Sequence, residues 1–202
     1  MKPGVYTMPR PPDRLTVKRR ADFAPIAAAP PVEIVTVDKF TECHVTPAEV
    51  AARMVDYLGD WPGQWGRVLE PSAGTGNLSR ALIAAGYDPS QIVQIERHNR
   101  LASGLHEFGC VANKCFFEYV AAICPGTVQF ERIIMNPPFS DVRKHVAAAL
   151  GLLAPGGALV ALVPVTFQHD RAETLETLPD DTFSTARVNT KIIRITAATF
   201  RR

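Results

Sequence analysis

The tetrapeptide Asn136-Pro137-Pro138-Phe139 is the part of the sequence whose residue types most directly suggest chemistry. It follows a short apolar run, and each proline fixes its own φ angle and excludes the preceding residue from the helical region. Its first three residues therefore predict a stiff, extended corner with carbonyl groups aimed in fixed directions, to which Asn136 adds an uncharged side-chain acceptor. The alternative is a loop that simply ends a buried strand, because Asn-Pro is also common in turns.

A second candidate segment, residues 68–82 (VLEPSAGTGNLSRAL), has a glycine-rich turn between a predicted strand and a predicted helix. Gly74 and Gly76 lack a Cβ, so a ligand can lie against the backbone at the helix N-terminus. A dinucleotide fingerprint would have a third glycine where Ser79 stands, and a P-loop would have Gly-Lys-Ser/Thr. A simple tight turn without a ligand is the structural alternative.

Glu96 ends the next apolar run, about twenty residues after the glycine turn. A carboxylate at that place can accept hydrogen bonds from both hydroxyls of a ribose. A surface glutamate at a strand end is the alternative. Together, the turn and the acid predict a ligand that contains a nucleoside but no pyrophosphate.

Alternating apolar runs and helical patterns would position these residues. Strands are predicted at residues 67–70, 92–96, 110–111, 132–135 and 158–165, and helices at residues 77–85, 98–108 and 141–153. Continuously apolar strands in β-α-β-α order predict a parallel sheet that is covered on both faces. Right-handed crossovers place its strand-to-helix loops at one edge, where open α/β folds bind ligands. Two further strands, near residues 174–178 and 191–196, predict an antiparallel hairpin at the sheet edge.

A helix is also predicted ahead of the first strand. Thr46 is its expected N-cap, Pro47 its first residue and Glu49 the acid three positions after the cap, and Gly59 ends it. Helical spacing predicts one buried face, made of Val50, Met54, Val55 and Leu58.

The order and spacing of LEPSAGTG, Glu96 and NPPF resemble the class I S-adenosylmethionine-dependent methyltransferases, specifically the amino-methyltransferases that act on adenine in DNA. The resemblance covers about residues 40–197, and residues 152–164 and 178–195 are similar to stand-alone members often carried by phages and plasmids. It implies a Rossmann-like α/β fold with a seven-stranded, mostly parallel sheet and an antiparallel C-terminal hairpin. It also implies S-adenosylmethionine as the cofactor. The cofactor-binding residues that it implies are Thr46, Glu70, Ser72, Ala73, Gly74, Gly76, Glu96, Cys115, Phe116 and Asn136.

The resemblance gives the NPPF corner a catalytic role. An exocyclic aromatic amine is a poor nucleophile because its lone pair is delocalised into the ring. The Asn136 side-chain oxygen and the Pro137 carbonyl would each accept one N–H, in hydrogen bonds that strengthen as the nitrogen becomes positive. Pro138 would stiffen the corner, and Phe139 would stack against the target base. Direct transfer of the methyl group would require neither a metal nor a covalent enzyme intermediate.

Two positions depart from the family pattern. The third strand of the family usually leads to an acid that holds the cofactor's adenine amino group, and Cys115 stands there in this sequence. Because a thiol is a weak acceptor, we expect Phe116 or a backbone carbonyl to recognise the adenine. Arg97 stands where an apolar residue commonly packs on the adenine, and its guanidinium plane can stack there or face solvent.

Several substrates remain open. Adenine in RNA presents the same chemistry, and protein glutamine methylation uses a similar Asn-Pro-Pro corner that usually ends in Tyr. A non-catalytic module that binds nucleic acid or a partner is a third possibility. Only 63 residues follow Phe139, and no target-recognition domain is evident among them. We therefore expect low sequence specificity, or a partner protein that supplies it.

Composition limits the remaining choices. A chain of 202 residues with 47% apolar content predicts one methyltransferase domain, residues 36–202, after a flexible Pro/Arg-rich arm at residues 1–35. Six basic residues and one acid give the first twenty residues a net charge of +5, so the rest carries −3 of the total +2. Four cysteines without a CxxC pair predict free thiols, a cytoplasmic location and no metal site. No apolar run is long enough to predict a membrane span.

Overall fold

The computed structural model of the chain describes residues 45–59, 66–183 and 189–198. The predicted arm, the start of the predicted domain and Cys43 lie outside these ranges. The helices are α1 (Ala48–Asp56), α2 (Asn77–Ala84), α3 (Asn99–Ser103), α4 (Phe116–Ala121) and α5 (Val142–Leu150). The strands are β1 (Val68–Pro71), β2 (Ile92–Ile95), β3 (Cys110–Ala112), β4 (Phe130–Met135), β5 (Leu153–Pro164), β6 (Glu173–Leu178) and β7 (Thr190–Thr196). No helix in the described ranges has the length and apolar content needed to cross a bilayer.

The strands of the described residues form one mixed sheet in the order β3-β2-β1-β4-β5-β7-β6. Strands β1 to β5 are parallel, whereas β7 runs antiparallel to both of its neighbours, β5 and β6. This confirms the predicted mostly parallel α/β sheet with an antiparallel C-terminal hairpin. The second strand of the hairpin, rather than the first, joins it to the sheet.

Neighbouring residues of the central strands face opposite sides of the sheet, and both sides are covered. Leu69 and Ile133 belong to a core packed against α5, whereas Val68 and Ile134 belong to a second core packed against α1 and α2. All four side chains have no exposed area. Because both faces are buried, the central strands are continuously apolar, as predicted. The predicted apolar face of α1 is buried as well.

Some element boundaries differ from the predictions. Helix α4 was not predicted, α3 is shorter than expected, and α5 ends at Leu150, so Leu153 begins β5 instead of extending the helix. Strand β5 begins earlier than expected because it accommodates Pro155 and two glycines in an irregularity. The register of the β4–β5 pair shifts there, from Phe130 opposite Leu153 to Arg132 opposite Ala158.

Candidate functional site

A cleft of about 390 Å³ lies where β1, β2, β3 and β4 end at their carboxyl edge. The chain order of the strands reverses between β1 and β4, so this is the topological switch point at which open α/β sheets bind ligands. The predicted site residues that line the cleft are Thr46, Glu70, Ser72, Ala73, Gly74, Glu96, Cys115, Phe116, Asn136 and Pro138. Gly76, Pro137 and Phe139 were also predicted and do not line it.

The glycine turn after β1 is strongly curved. Ser72, Gly74 and Gly76 all have positive φ angles, of 62°, 57° and 78°. Gly74 lines the cleft, and its N–H donates to Glu96 Oε2 at 2.8 Å. Gly76 is the N-cap of α2, and a Cβ there would lie 2.6 Å from Leu105 Cδ2. Packing and backbone conformation therefore explain the second glycine, whereas the predicted reason was access for a ligand.

Glu96 follows β2 and is held rigidly. Its side chain accepts hydrogen bonds from two backbone N–H groups, Gly74 to Oε2 and His98 to Oε1, both at 2.8 Å. The residue is only 5% exposed, so it is not a surface glutamate at a strand end. Each carboxylate oxygen has a second lone pair, and the residue lines the cleft. The site therefore offers two fixed acceptors to a ligand with adjacent hydroxyls.

Glu70, in β1, is a buried acid on the same cleft. It is 1% exposed, and the Ser79 hydroxyl donates a hydrogen bond to its Oε2. Burial raises the pKa of Glu70 to about 8, an effect that the Ser79 hydrogen bonds oppose and the negative charge of Glu96 reinforces. Glu70 is therefore mostly protonated at neutral pH. Ser79 stands where a dinucleotide fingerprint has its third glycine, and its hydroxyl group binds this buried acid.

Thr46 connects three elements around the cleft. It was predicted as the N-cap of α1, but Pro47 holds that position and its carbonyl oxygen accepts the Ala51 N–H at 2.9 Å. The Thr46 hydroxyl instead accepts a hydrogen bond from Asn136 Nδ2 at 3.1 Å, and its carbonyl oxygen accepts one from Asn77 Nδ2 at 2.7 Å. The hydroxyl is engaged across the cleft, so it does not cap the helix.

Asn136 directly follows β4 and lines the cleft. Its bond to Thr46 uses the amide nitrogen, which defines the oxygen as the acceptor end of the side chain. That oxygen is buried within the corner, so a donor must enter the corner to reach it. We call Thr46, Glu70, Asn77 and Asn136 the polar end of the cleft.

The other three residues of the NPPF corner differ in how they meet the cleft. Pro137 is buried and Pro138 lines the cleft, whereas Phe139 begins a short 3-10 helix, Phe139–Asp141. The half-buried Phe139 ring meets the buried Phe183 ring edge-on, with the centroids 6.5 Å apart. These two rings form an aromatic pair next to the corner but outside the cleft lining.

Four residues, Cys115, Phe116, Phe117 and His145, form what we call the aromatic end of the cleft. Cys115 is the N-cap of α4, so the two phenylalanines begin that helix. His145, in α5, is 6% exposed, and its ring centroid lies 4.5 Å from that of Phe117 and 5.9 Å from that of Phe116. Sequence reasoning missed Phe117 and His145. Phe117 follows the predicted Phe116 directly, but no motif marks the histidine.

Comparison with known proteins identifies the fold. No family model matches the chain, and no curated protein matches it in sequence. Among solved structures, a type I restriction-modification methyltransferase subunit from Streptococcus thermophilus aligns with a TM-score of 0.62 over 78% of this chain, at 16% identity. A dimethyladenosine transferase from Plasmodium falciparum aligns with a TM-score of 0.58 over 76%, at 12% identity. A proposed S-adenosylmethionine-dependent methyltransferase from Streptococcus mutans gives 0.54 over 76%, at 15% identity.

These alignments span 45%, 63% and 50% of the lengths of the three solved chains, in that order. At such low identities, the similarity concerns the fold. The described domain therefore has the Rossmann-like fold of the class I methyltransferases.

Proposed function

We propose that this chain uses S-adenosylmethionine to methylate the exocyclic amino group of adenine in DNA. The observation that supports this most strongly is the placement of Asn136. Its side chain is held by Thr46 at 3.1 Å, and it lines the same cleft as Gly74 and Glu96. A fixed polar acceptor and a fixed nucleoside-type site thus share one cleft.

The residues of the cleft fit the cofactor. Its volume of about 390 Å³ lies within the range of small-molecule sites, which is about 300 to 1,000 Å³. Glu96 would accept the ribose hydroxyls, Gly74 would allow close approach to the backbone, and Glu70 and Asn77 of the polar end would hold the amino-acid portion. When bound, the cofactor supplies an electrophilic methyl group on a sulfonium centre. One of the structural neighbours is named as dependent on this cofactor.

Asn136 and Pro137 would prepare the amine for attack. The Asn136 side-chain oxygen and the Pro137 carbonyl oxygen would each accept one N–H, which aims the nitrogen lone pair in a fixed direction. As the nitrogen becomes positive in the transition state, both hydrogen bonds strengthen. Removing one such preorganised hydrogen-bonding group costs about 10²- to 10³-fold in rate in other enzymes.

Adenine in nucleic acid is the substrate that the site supports best. Phe139 lies half-buried beside the corner, with the buried Phe183 ring packed edge-on against it, and a flipped base can stack on an aromatic ring in such a position. Two of the structural neighbours are named as a restriction-modification methyltransferase subunit and a dimethyladenosine transferase. Adenine in RNA presents the same amine and is the alternative substrate.

Labelled methyl transfer tests the proposal. Purified chain, incubated with methyl-labelled S-adenosylmethionine and DNA, RNA or protein, should label DNA, and digestion should yield N6-methyladenine. Plasmid DNA from cells that express the wild-type chain should contain the same nucleoside, and DNA from cells that express Asn136→Ala should not. Label in RNA or in protein glutamine instead would replace the proposed substrate.

The cofactor and the low sequence specificity each have a separate test. Absence of any calorimetric signal with S-adenosylmethionine would favour a non-catalytic module. Sequencing the methylated positions in plasmid DNA would reveal whether the chain alone prefers a sequence, and a strict target site would contradict low specificity.

A further inference from the structure

The order of the strand ends suggests which end of the cleft receives a purine. Asn136 follows β4, Glu70 lies in β1, Glu96 follows β2 and Cys115 lies beyond β3, and these strands are adjacent in that order. With the ribose on Glu96, as the proposed function has it, the base lies toward one side and the amino-acid portion toward the other. Aromatic rings suit a flat heterocycle, whereas carboxyl, hydroxyl and amide groups suit a charged amino acid. The purine therefore belongs at the aromatic end.

A purine with a 6-amino group brings two N–H donors into this end of the cleft. A buried donor that lacks an acceptor is costly, so the site needs a good acceptor at that position. The Cys115 thiol is a weak acceptor, and the phenylalanine rings have none. His145 is the residue of the aromatic end with a strong acceptor to offer.

Hydrogen bonding determines which nitrogen of His145 is the acceptor. Nδ1 lies 3.2 Å from the carbonyl oxygen of Asp141, one helical turn earlier. A carbonyl oxygen only accepts, so Nδ1 carries the proton and donates it. In the neutral ring, Nε2 then has the lone pair.

Two features keep His145 neutral and in place. Burial lowers the pKa of the ring and outweighs the opposing hydrogen bond and negative charge of Asp141, and the positive charges of Arg97 and Lys144 add smaller lowering effects. The ring also packs against both Phe116 and Phe117, which carry no titratable groups. Orientation and protonation state are thus both set before a ligand arrives.

We propose that His145 is the specificity-determining residue for the purine of the cofactor, with Nε2 accepting a hydrogen bond from the 6-amino group. This inference rests on the proposed function. It assigns to α5 the recognition role for which Cys115, after β3, offers only a thiol.

Calorimetric titration with two ligands tests the assignment. S-adenosylhomocysteine carries the 6-amino donor, whereas S-inosylhomocysteine carries a 6-oxo acceptor that would face the lone pair of Nε2. The wild-type chain should prefer the adenosyl ligand by about 10- to 100-fold, the range expected when a buried polar group is mismatched. His145→Phe keeps an aromatic ring and removes the acceptor, so the preference should fall below about threefold. His145→Gln has an acceptor and a donor and should bind both ligands with similar affinity.

The outcomes separate this inference from the proposed function. If the wild-type chain binds neither ligand, the proposed function fails and the inference fails with it. If the adenosyl ligand binds and both variants retain the full preference for it over the inosyl ligand, His145 does not recognise the 6-amino group. The proposed cofactor is then still supported. Should His145→Phe fail to fold, the Gln variant decides the question by the same ratio.

Discussion

The two ends of the cleft are built by different means. At the polar end, Asn136 and Thr46, 90 residues apart in sequence, are joined by a directional hydrogen bond of 3.1 Å. At the aromatic end, Phe117 and His145 are held by ring packing at 4.5 Å. Hydrogen bonds fix individual atoms, whereas packed rings provide contact area. We therefore expect changes to the Asn136–Thr46 hydrogen bond to alter turnover, and changes at the aromatic end to alter ligand affinity.

The largest expected effect is that of Asn136→Ala on turnover. Removing the acceptor should lower methyl transfer by about 10²- to 10³-fold or more, because this hydrogen bond strengthens in the transition state. The Kd of S-adenosylhomocysteine should change by less than about threefold. Labelled transfer and calorimetry measure the two quantities, and the surface variant Asn99→Ala is the matched control. An equal loss of affinity and turnover would contradict the expectation that Asn136 acts on turnover and not on cofactor binding.

Gly76→Ala tests the turn that lies between the two ends. The new Cβ would lie 2.6 Å from Leu105 Cδ2 at a φ of +78°, so overpacking and backbone strain add together. We expect about 2 to 4 kcal/mol of destabilisation in chemical unfolding.

Gly59→Ala is the control for Gly76→Ala, because Gly59 has nearly the same φ, +77°, and nothing within 4 Å of the added Cβ. This variant should lose only about 1 to 2 kcal/mol, the backbone cost alone. Equal losses in the two variants would mean that Leu105 moves aside without cost.

Thr46→Val tests the role of a single hydroxyl group at the polar end. Valine keeps the shape of the side chain but removes the hydroxyl that accepts from Asn136 Nδ2. The kcat should fall by about 10- to 100-fold because Asn136 loses its orientation. The Kd of the cofactor should stay within about threefold, and Thr46→Ser should restore most of the turnover. A normal kcat in the valine variant would show that the Thr46 hydroxyl does not orient Asn136.

The remaining prediction concerns the pH dependence of stability in Glu70→Gln, where turnover is not the readout. The pKa of Glu70 is raised from 4.5 to about 8, so the folded chain retains a proton that the unfolded chain releases above pH 4.5. The free energy of unfolding should therefore fall, by up to about 1.4 kcal/mol per pH unit, as the pH rises from 4.5 to about 8. In Glu70→Gln, the free energy of unfolding measured in urea should no longer fall between pH 5 and 8. An unchanged pH dependence would contradict the raised pKa of Glu70.

The contribution of His145, at the aromatic end, to the free energy of unfolding changes with pH in the opposite direction. Because its pKa is lowered by burial, its contribution to stability is present above the ordinary imidazole pKa and is lost as the pH falls. Glu70 at the polar end and His145 at the aromatic end are therefore both neutral, but their contributions to stability respond to pH in opposite directions.

The central strands and the glycine turn could be predicted because local signals define them. Continuous apolar runs mark strands that are buried on both faces, and glycine marks positive φ at residues 74 and 76. Helix α4 lacked such a signal, because aromatic and β-branched residues such as Phe116, Phe117 and Val120 favour strands as well. Its one helical mark is Glu118, whose side chain accepts the Cys115 N–H at 3.3 Å.

The contents of the cleft were harder to predict than its existence. Thr46 has the sequence signature of an N-cap, and only a partner 90 residues away shows that its hydroxyl is used elsewhere. His145 reaches the cleft because α5 packs beside α4, a tertiary arrangement that no local pattern encodes. Long-range contacts of this kind override the local preference of a residue type.

The position of β7 between β5 and β6 has a consequence for synthesis on the ribosome. Until Thr190–Thr196 emerge, the apolar strand β5 has an open edge and β6 has no neighbour to pair with. An open, apolar edge invites pairing with strands of other nascent chains. The interval between translation of β5 and β7 is therefore a period in which this chain is exposed to aggregation.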